Sequence, residues 1–491
     1  MTNGFIIKNS FASEYRSQRI EPLAPAMKRP QAVRWPDPAT IEGISDHQKL
    51  ELSKALTGRI GLLGGGPGVG KSHTIVRLLK TILQKHPYAA IRMIAPTGKA
   101  AQRMTELAVV AKLNNINGTT IHTALVPQRN GHDGKGWGFF HGENNPIHAH
   151  VIVCDESSML DAQITRSLLS AIDEGTLVLF VGDPNQLPPV GKGRPYADMI
   201  EAGLPYGHLT EIHRFAGRIA MVCKQIVDGE RWTPSEKLDL ENAAFPENLR
   251  HVECSDANRI SKLKQILQQL QENRGFDLWE DVQVLCATND LRKNLNEVLQ
   301  ASLNPNGETI PGSLYRMRDK VICTRNQWVD QDWDERRRPV DNPKHYIANG
   351  EVGVVSNIDK TFVVVDVDSG GSRKTLRFPK AAWSDVELAY AITTWKAQGS
   401  QYRAVIAVAE DHRGADMICD RSFWTTSYSR GGTISFSLGR RSAIDRQCAR
   451  FGLEQRKTLL VEKIRKWLSP EEQQQEIDQE TEVVTDDFSD V

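Results

Sequence analysis

From Ile44 onward the apolar residues of this chain fall into a repeating alternation. SDHQKLELSKAL (45–56) has the spacing of a helix, RIGLLG (59–64) is a short apolar run, and a glycine-rich turn follows. The pattern recurs as strand AAIRMIAP (89–96), helix GKAAQRMTEL (98–107), strand HVIVC (150–154), helix AQITRSLLSAI (162–172) and strand TLVLFVG (176–182). Strands alternating with helices predict a parallel sheet covered on both faces. A second block repeats it with HVEC (251–254), ANRISKLKQILQQLQEN (257–273), VQVLCAT (282–288) and DLRKNLNEVLQASL (290–303). From about Gly307 to Ala382 the texture changes. LYRMRDKVICTRN, EVGVVSNI and TFVVVDVD lie between turn residues that include Asn349-Gly350 and Gly370-Gly371, which predicts a small all-β insertion. ELAYAITTW (387–395) and RAVIAVAE (403–410) resume the α/β pattern.

The two ends read differently. Residues 1–45 carry scattered prolines and little periodicity, the signature of an extended arm. Residues 469–491 are Gln- and Glu-rich, and disorder is the expectation. The 491 residues hold 61 Lys and Arg against 61 Asp and Glu. Nine of the acidic residues, and no Lys or Arg, lie between Pro470 and Val491, so the body is left with 61 against 52, or +9. A positive body suits a polyanionic partner. No apolar run approaches the ~18 residues that cross a bilayer, and the N-terminus lacks a signal-peptide core. The seven cysteines form no C-x-x-C pair, which argues against zinc and a disulfide framework. A cytoplasmic protein with reduced thiols is the expectation.

Two motifs carry chemistry. Gly65-Gly66-Pro67-Gly68-Val69-Gly70-Lys71-Ser72 matches G-x-x-x-x-G-K-[ST] between an apolar strand and a helix. Its glycines let backbone N–H groups curl around phosphate oxygens. Lys71 is placed for the β- and γ-phosphates of ATP and the Ser72 hydroxyl for Mg2+. His150–Cys154 is an apolar strand ending in Asp155-Glu156. Asp155 is placed to hold Mg2+ through water, and Glu156 to polarise the attacking water. Together they define a P-loop nucleotide hydrolase without saying which.

The remaining blocks decide that. The stretch from about Gln48 to Arg430 resembles the RecD and phage Dda branch of superfamily-one helicases. The Asp155-Glu156 pair, in DESSML, looks like motif II; APTGKAA (95–101) looks like motif Ia and TIHT (120–123) like motif Ib. GDPNQLPP (182–189), LTEIHR (209–214), TTWKAQGS (393–400) and TSYSR (426–430) resemble motifs III to VI in order. The resemblance implies two RecA-like P-loop domains with ATP between them, carrying a hairpin insertion in the first and an SH3-like β insertion in the second. The implied boundaries are arm 1–45, domain 1A 46–205 with hairpin 1B at about 124–148, domain 2A 206–305, insertion 2B 306–385, the rest of 2A with a C-terminal helix 386–468, and tail 469–491.

The same resemblance implies roles. Gln48 would read adenine, Gln186 would sense the γ-phosphate, and Arg214 and Arg430 would be arginine fingers; Gly399 would border the nucleotide. Thr97, Thr120, His122, Thr394, Trp395 and Lys396 fall in blocks that contact single-stranded DNA in relatives. Two departures stand out. Trp395 replaces the usual His of motif V, and is either a base-stacking ring or core. Ser427-Tyr428-Ser429-Arg430 replaces the usual Ala-Val/Ile-Thr-Arg. Trp137, Phe139 and Phe140 are either a wedge that splits duplex DNA or the hairpin's own core. Arg336-Arg337-Arg338 is either a solvated face or a nucleic-acid contact. The implied activity is ATP-driven movement on single-stranded DNA, 5′→3′, by a monomer that acts on forked or tailed duplex. The acidic tail is either solubilising, a docking segment for a replication partner, or a competitor for the DNA groove. A protein-remodelling ATPase and a binding subunit with a weakened motor stand as rivals.

Overall fold

The computed structural model describes residues 33–113, 116–130, 136–213, 217–242, 245–325, 327–333, 344–347, 349–369, 372–452 and 458–468. Most of the expected arm, all of the acidic tail, Arg336-Arg337-Arg338 and Gly370-Gly371 lie outside the described residues. Every described strand and helix belongs to the unit that begins at Trp35.

The first layer starts with α1 (Asp46–Ala55), capped reciprocally: Ser45 Oγ accepts from Gln48 N–H, and Gln48 Oε1 accepts from Ser45 N–H. Then come β1 (Ile60–Gly65), α2 (Lys71–Lys85), β2 (Ile91–Ala95), α3 (Gly98–Val110), β3 (Gly118–Thr120) and α4 (Ile121–Leu125). A hairpin, β4 (Pro127–Asn130) and β5 (Gly136–Phe139), interrupts before β6 (Val151–Cys154), α5 (Ala162–Ser170), β7 (Leu177–Gly182), α6 (Pro195–Glu201) and β8 (Tyr206–Leu209). The strands run parallel in the order β3-β2-β6-β7-β1-β8. β6 and β7 are buried along their whole length, which is why they read as continuous apolar runs rather than alternations.

The second layer holds α7 (Gly217–Asp228), β9 (Leu249–Glu253), α8 (Arg259–Arg274), β10 (Val282–Cys286) and α9 (Asn289–Leu303). The insertion follows as β11 (Lys320–Cys323), β12 (Gln327–Trp333), β13 (Lys344–Ile347), β14 (Val352–Ile358), β15 (Phe362–Ser369), β16 (Ser372–Pro379) and β17 (Val386–Leu388), one antiparallel sheet. The layer resumes with β18 (Ala391–Thr393), β19 (Tyr402–Val408), α10 (Arg413–Ile418), α11 (Arg421–Ser429), β20 (Gly431–Gly439) and α12 (Arg441–Cys448). Its parallel order is β18-β10-β19-β20-β9. Two parallel α/β layers with a hairpin and an all-β insertion are the expected fold class.

Three details differ from the sequence reading. LYRMRDKVICTRN yields a strand only at Lys320–Cys323, because Tyr315, Arg316 and Asp319 are tied into a turn: Asp319 accepts from Arg316 N–H, Gln300 and Asn304. ELAYAITTW is two strands rather than one. Its first half pairs with β11 of the insertion and its second with β10, and Gln283 Nε2 donates to both Ala389 and Tyr390 carbonyls at the break. The last helix, α13 (Leu460–Leu468), packs on α6 of the first layer, where Arg465 donates to Glu201 O at 2.7 Å.

Lys320 sits at this junction with 2% of its surface exposed, its ammonium donating to Val282 O at 3.0 Å. Burial, reinforced by the nearby Lys99 charge and opposed by Asp277, Asp281 and Glu280, pushes it down to about 7. An unfolded lysine holds its proton to about pH 10.4. Between those values the unfolded chain binds more protons, so this site's contribution to stability rises with pH from about 7. Lys320→Met is expected to raise Tm at pH 7 and to flatten that rise. Thermal melts of both proteins at pH 7 and 9 decide it; an equal gain or loss at both pH values removes the titration account.

Candidate nucleotide and strand site

The loop between β1 and α2 is built on glycine conformations. Gly68 (φ 79°) and Gly70 (φ 83°) lie in the left-handed region. A Cβ on Gly70 would come within 2.7 Å of Gln48 Nε2 and 2.8 Å of His213 Nε2. The Lys71 ammonium caps the loop from inside, donating to the carbonyls of Gly65 and Gly66. Gln48 is 3% exposed and donates to Val69 O at 3.4 Å, so its amide is held against the loop by the same side chain that caps α1. His213 N–H donates to Gly68 O, joining the segment after β8 to the loop. Arg214, the next residue, lies outside the described residues.

Asp155 and Glu156 follow β6, two strands from the loop. Asp155 Oδ1 accepts from Glu156 N–H at 2.8 Å. Burial and the adjacent Glu156 carboxylate push the Asp155 carboxyl up to about 6, against the pull of Lys71 and Arg103. Glu156 adopts φ 52°, a left-handed conformation that costs a non-glycine residue about 1 kcal/mol or more. Among the described residues no group of three or more His, Cys, Asp or Glu is arranged for a metal. The hard oxygens of Ser72 and Asp155 do suit Mg2+, which binds few protein ligands and completes its shell with water and phosphate oxygens. A buried carboxylate raised this far is one that a bound cation would favour in its charged form.

After β7 the loop 182–189 carries Gln186 into the same space. Its Nε2 donates to Asp183 Oδ2 at 3.4 Å and its Oε1 accepts from Arg430 at 3.1 Å. Asp183 is a site residue the sequence reading passed over, although it ends a buried strand just as Asp155 does. Its carboxyl is raised by burial, with Lys71 opposing. Arg430, at the end of α11, is 5% exposed; it also donates to Ser400 O at 3.3 Å and lies 3.6 Å from Glu156 Oε1. Glu156, Gln186 and Arg430, drawn from both layers, therefore meet. The loop is gripped by the second layer: Leu187 N–H donates to Thr426 Oγ1, Gln398 donates to Leu187 O, and Thr425 donates to Asn185 O. Thr425, Thr426 and Gln398 carry no signal of this role in sequence, since their partners are backbone atoms.

The strand candidates divide. Thr97 and Thr120 cap α3 and α4, whose N-termini stand side by side because β2 and β3 pair at Ala95 and Thr120. Gly399 (φ 71°) closes on the first cap; a Cβ there would lie 2.3 Å from Thr97 Oγ1. His122 is half-buried and its ring meets Phe139 edge-on at 5.8 Å. Thr394 is fully buried, bonded to Ser427 Oγ, so its hydroxyl does not reach a strand, contrary to expectation. Trp395 is partly buried and packs on Phe423, the core alternative. Lys396 pairs with Glu387 at 2.9 Å, which Arg292 also holds. In the hairpin, Phe139 packs on the core of the first layer while Phe140 is 56% exposed. The side chain of Trp137 lies outside the described residues.

Comparison with known proteins adds a second line. Residues 48–192 match a family described as an AAA domain. The chain is 29% identical over 436 residues to the ATP-dependent RecD2 DNA helicase of Deinococcus radiodurans, with 86% of this chain and 53% of that protein covered. It is 28% identical over 455 residues to the RecBCD enzyme subunit RecD of Mycolicibacterium smegmatis, covering 84% and 75%. It thus spans about half the length of the first relative and three quarters of the second. A crystal structure of Pif1 helicase from Bacteroides with ADP-AlF3 and single-stranded DNA aligns at a TM-score of 0.46 and 16% identity, covering 84% of this chain and 96% of that one. In motif order, site geometry and the relatives it matches over most of its length, this chain is similar to the RecD-like helicases of superfamily one.

Proposed function

We propose that the chain is an ATP-dependent helicase that moves 5′→3′ on single-stranded DNA and opens forked or tailed duplex as a monomer. The direction and the monomeric state follow from the family resemblance alone; the observation that carries the ATP-driven reading is the meeting of Glu156 and Gln186 from one layer with Arg430 from the other. A site completed across two layers makes hydrolysis conditional on their closure, which is what a motor needs. Lys71 and the loop N–H groups would hold the phosphates, and Ser72 with Asp155 would hold Mg2+, which supplies charge neutralisation at the β- and γ-oxygens. Glu156 would orient water, and Arg430 would neutralise charge on the transferred group.

The paired helix N-termini at Thr97 and Thr120 suit a sugar-phosphate backbone and read no sequence. Gln48 has a second N–H and a second lone pair left over from its cap, enough to read an adenine edge. Free, buried cysteines suit a reducing cytoplasm, and among the described residues no helix is long and apolar enough to cross a membrane.

The test is ATP hydrolysis with and without a single-stranded DNA oligonucleotide, at two salt concentrations. Stimulation by DNA that weakens with salt is expected, and Lys71→Ala should abolish turnover while sparing DNA binding. Turnover indifferent to DNA would point to a protein-remodelling ATPase instead. Arg430→Ala should keep ATP binding and lower kcat by ~10³ or more; a near-normal kcat removes the finger. Phe140→Ala should slow duplex unwinding about tenfold, as loss of one base-stacking ring does, with DNA-stimulated hydrolysis unchanged. Equal loss of both would make Phe140 a packing residue.

A further inference from the structure

The geometry points to Arg103 as a second phosphate-binding arginine, supplied by the first layer, that receives inorganic phosphate as it leaves the hydrolysis site. This role rests on the ATPase reading of the same cleft.

The strand order sets an axis along the site. Gln48 and His213 mark one end, beside β1 and β8; Asp155 and Glu156 follow β6, and α3 follows β2 beyond them. The cleft continues past Glu156 on that far side. It is lined by Arg103 of α3, by Asp155 and Glu156, by Ser400 and Gln401, and by Arg430. A nucleotide with its base at the Gln48 end has its γ-phosphate at the Glu156 end, so the cleft begins where the transferred group stands once cleaved.

Three features suit that cleft to an anion. Arg430 is 5% exposed, and its Nε carries no hydrogen-bond partner, although its other nitrogens are engaged. Arg103 is exposed and forms no hydrogen bond or ion pair with another described residue, acting on the Asp155 carboxyl only at longer range. The opposite wall, Ser400 to Gln401, belongs to the second layer, so separation of the layers widens the cleft. Two guanidiniums in sequence, one buried beside the reaction and one at the solvent side, can pass a phosphate outward by paired N–H contacts. No bond forms or breaks in this step: phosphate is only handed over.

The experiment is steady-state ATP hydrolysis by the full chain with single-stranded DNA, titrated with inorganic phosphate, for the parent, Arg103→Gln and Arg103→Lys. The parent is expected to be inhibited by phosphate. Arg103→Gln should raise the half-inhibiting concentration about tenfold, the loss expected for one charge-assisted contact, with KM for ATP within about twofold, and Arg103→Lys should fall between. Equal inhibition of all three, or a parent that phosphate does not inhibit, overturns the role of Arg103. A parent with no ATP turnover overturns the underlying reading instead, so the two failures are told apart. A rise in KM for ATP matching the rise for phosphate would place Arg103 on bound nucleotide and also overturn an exit role.

Discussion

Leu187 is held at both ends of its peptide unit by the other layer: Thr426 takes its N–H and Gln398 gives to its carbonyl. Its side chain is 2% exposed, buried in a cluster otherwise built of second-layer residues such as Val222, Phe423 and Tyr428. A short loop of the first layer is thereby a structural part of the second. The meeting of Gln186 with Arg430 depends on this. Gln186 precedes Leu187 and reaches Arg430 only because its neighbour is pinned, and Asp183, three residues earlier, fixes the other side of the same amide. The bonds are to backbone, so they constrain the position of the loop whatever its side chains do. Movement of α11 therefore moves Gln186 relative to Glu156.

The two positions that depart from the resembled pattern pack together. Trp395 meets Phe423 at 5.8 Å, Phe423 meets Trp424 at 5.3 Å, and Trp424 meets Tyr428 at 5.6 Å. Trp232 closes the group on Tyr428 at 6.0 Å. The unusual Trp of motif V and the unusual Tyr of motif VI thus belong to one aromatic cluster behind Arg430. Contacts of this kind add to ordinary burial. Ser427 and Ser429, the other altered positions, bond within their own helix to Phe423 O and Thr426 O. Arg430 thus ends a helix whose inner face is packed by this aromatic cluster.

How much of this was legible follows from what each element depends on. The parallel strands announced themselves because burial on both faces demands apolar runs such as VIVC and LVLFVG. The phosphate loop was legible because left-handed turns at Gly68 and Gly70 demand glycine. The division of ELAYAITTW was not, since both halves are apolar and the break is enforced from outside by Gln283. Thr394 read as a strand contact and proved to be core, because a hydroxyl's direction depends on a partner 33 residues away, Ser427. Lys396 likewise has its charge answered by Glu387 on an adjoining strand of the insertion. Motif order identifies the family of site; which side chains are free to act is decided by tertiary neighbours.

The path of the chain limits what the two layers can do. It crosses from the first to the second after β8 and returns after α12 to place α13 on α6. Val461 is 7% exposed and Ile464 packs on the first layer's core, so the return is docked rather than draped. Two covalent crossings, one beside the phosphate loop at His213 and one toward the far end of the chain, oppose wide separation of the layers. Together with the backbone clamp on Leu187, they favour small hinge or shear displacements over dissociation. Small displacements suffice here. Arg430 approaches Glu156 at 3.6 Å, longer than a tight ion pair, and because Coulomb energy scales inversely with distance, a shift of well under ~1 Å changes the interaction of these two side chains appreciably.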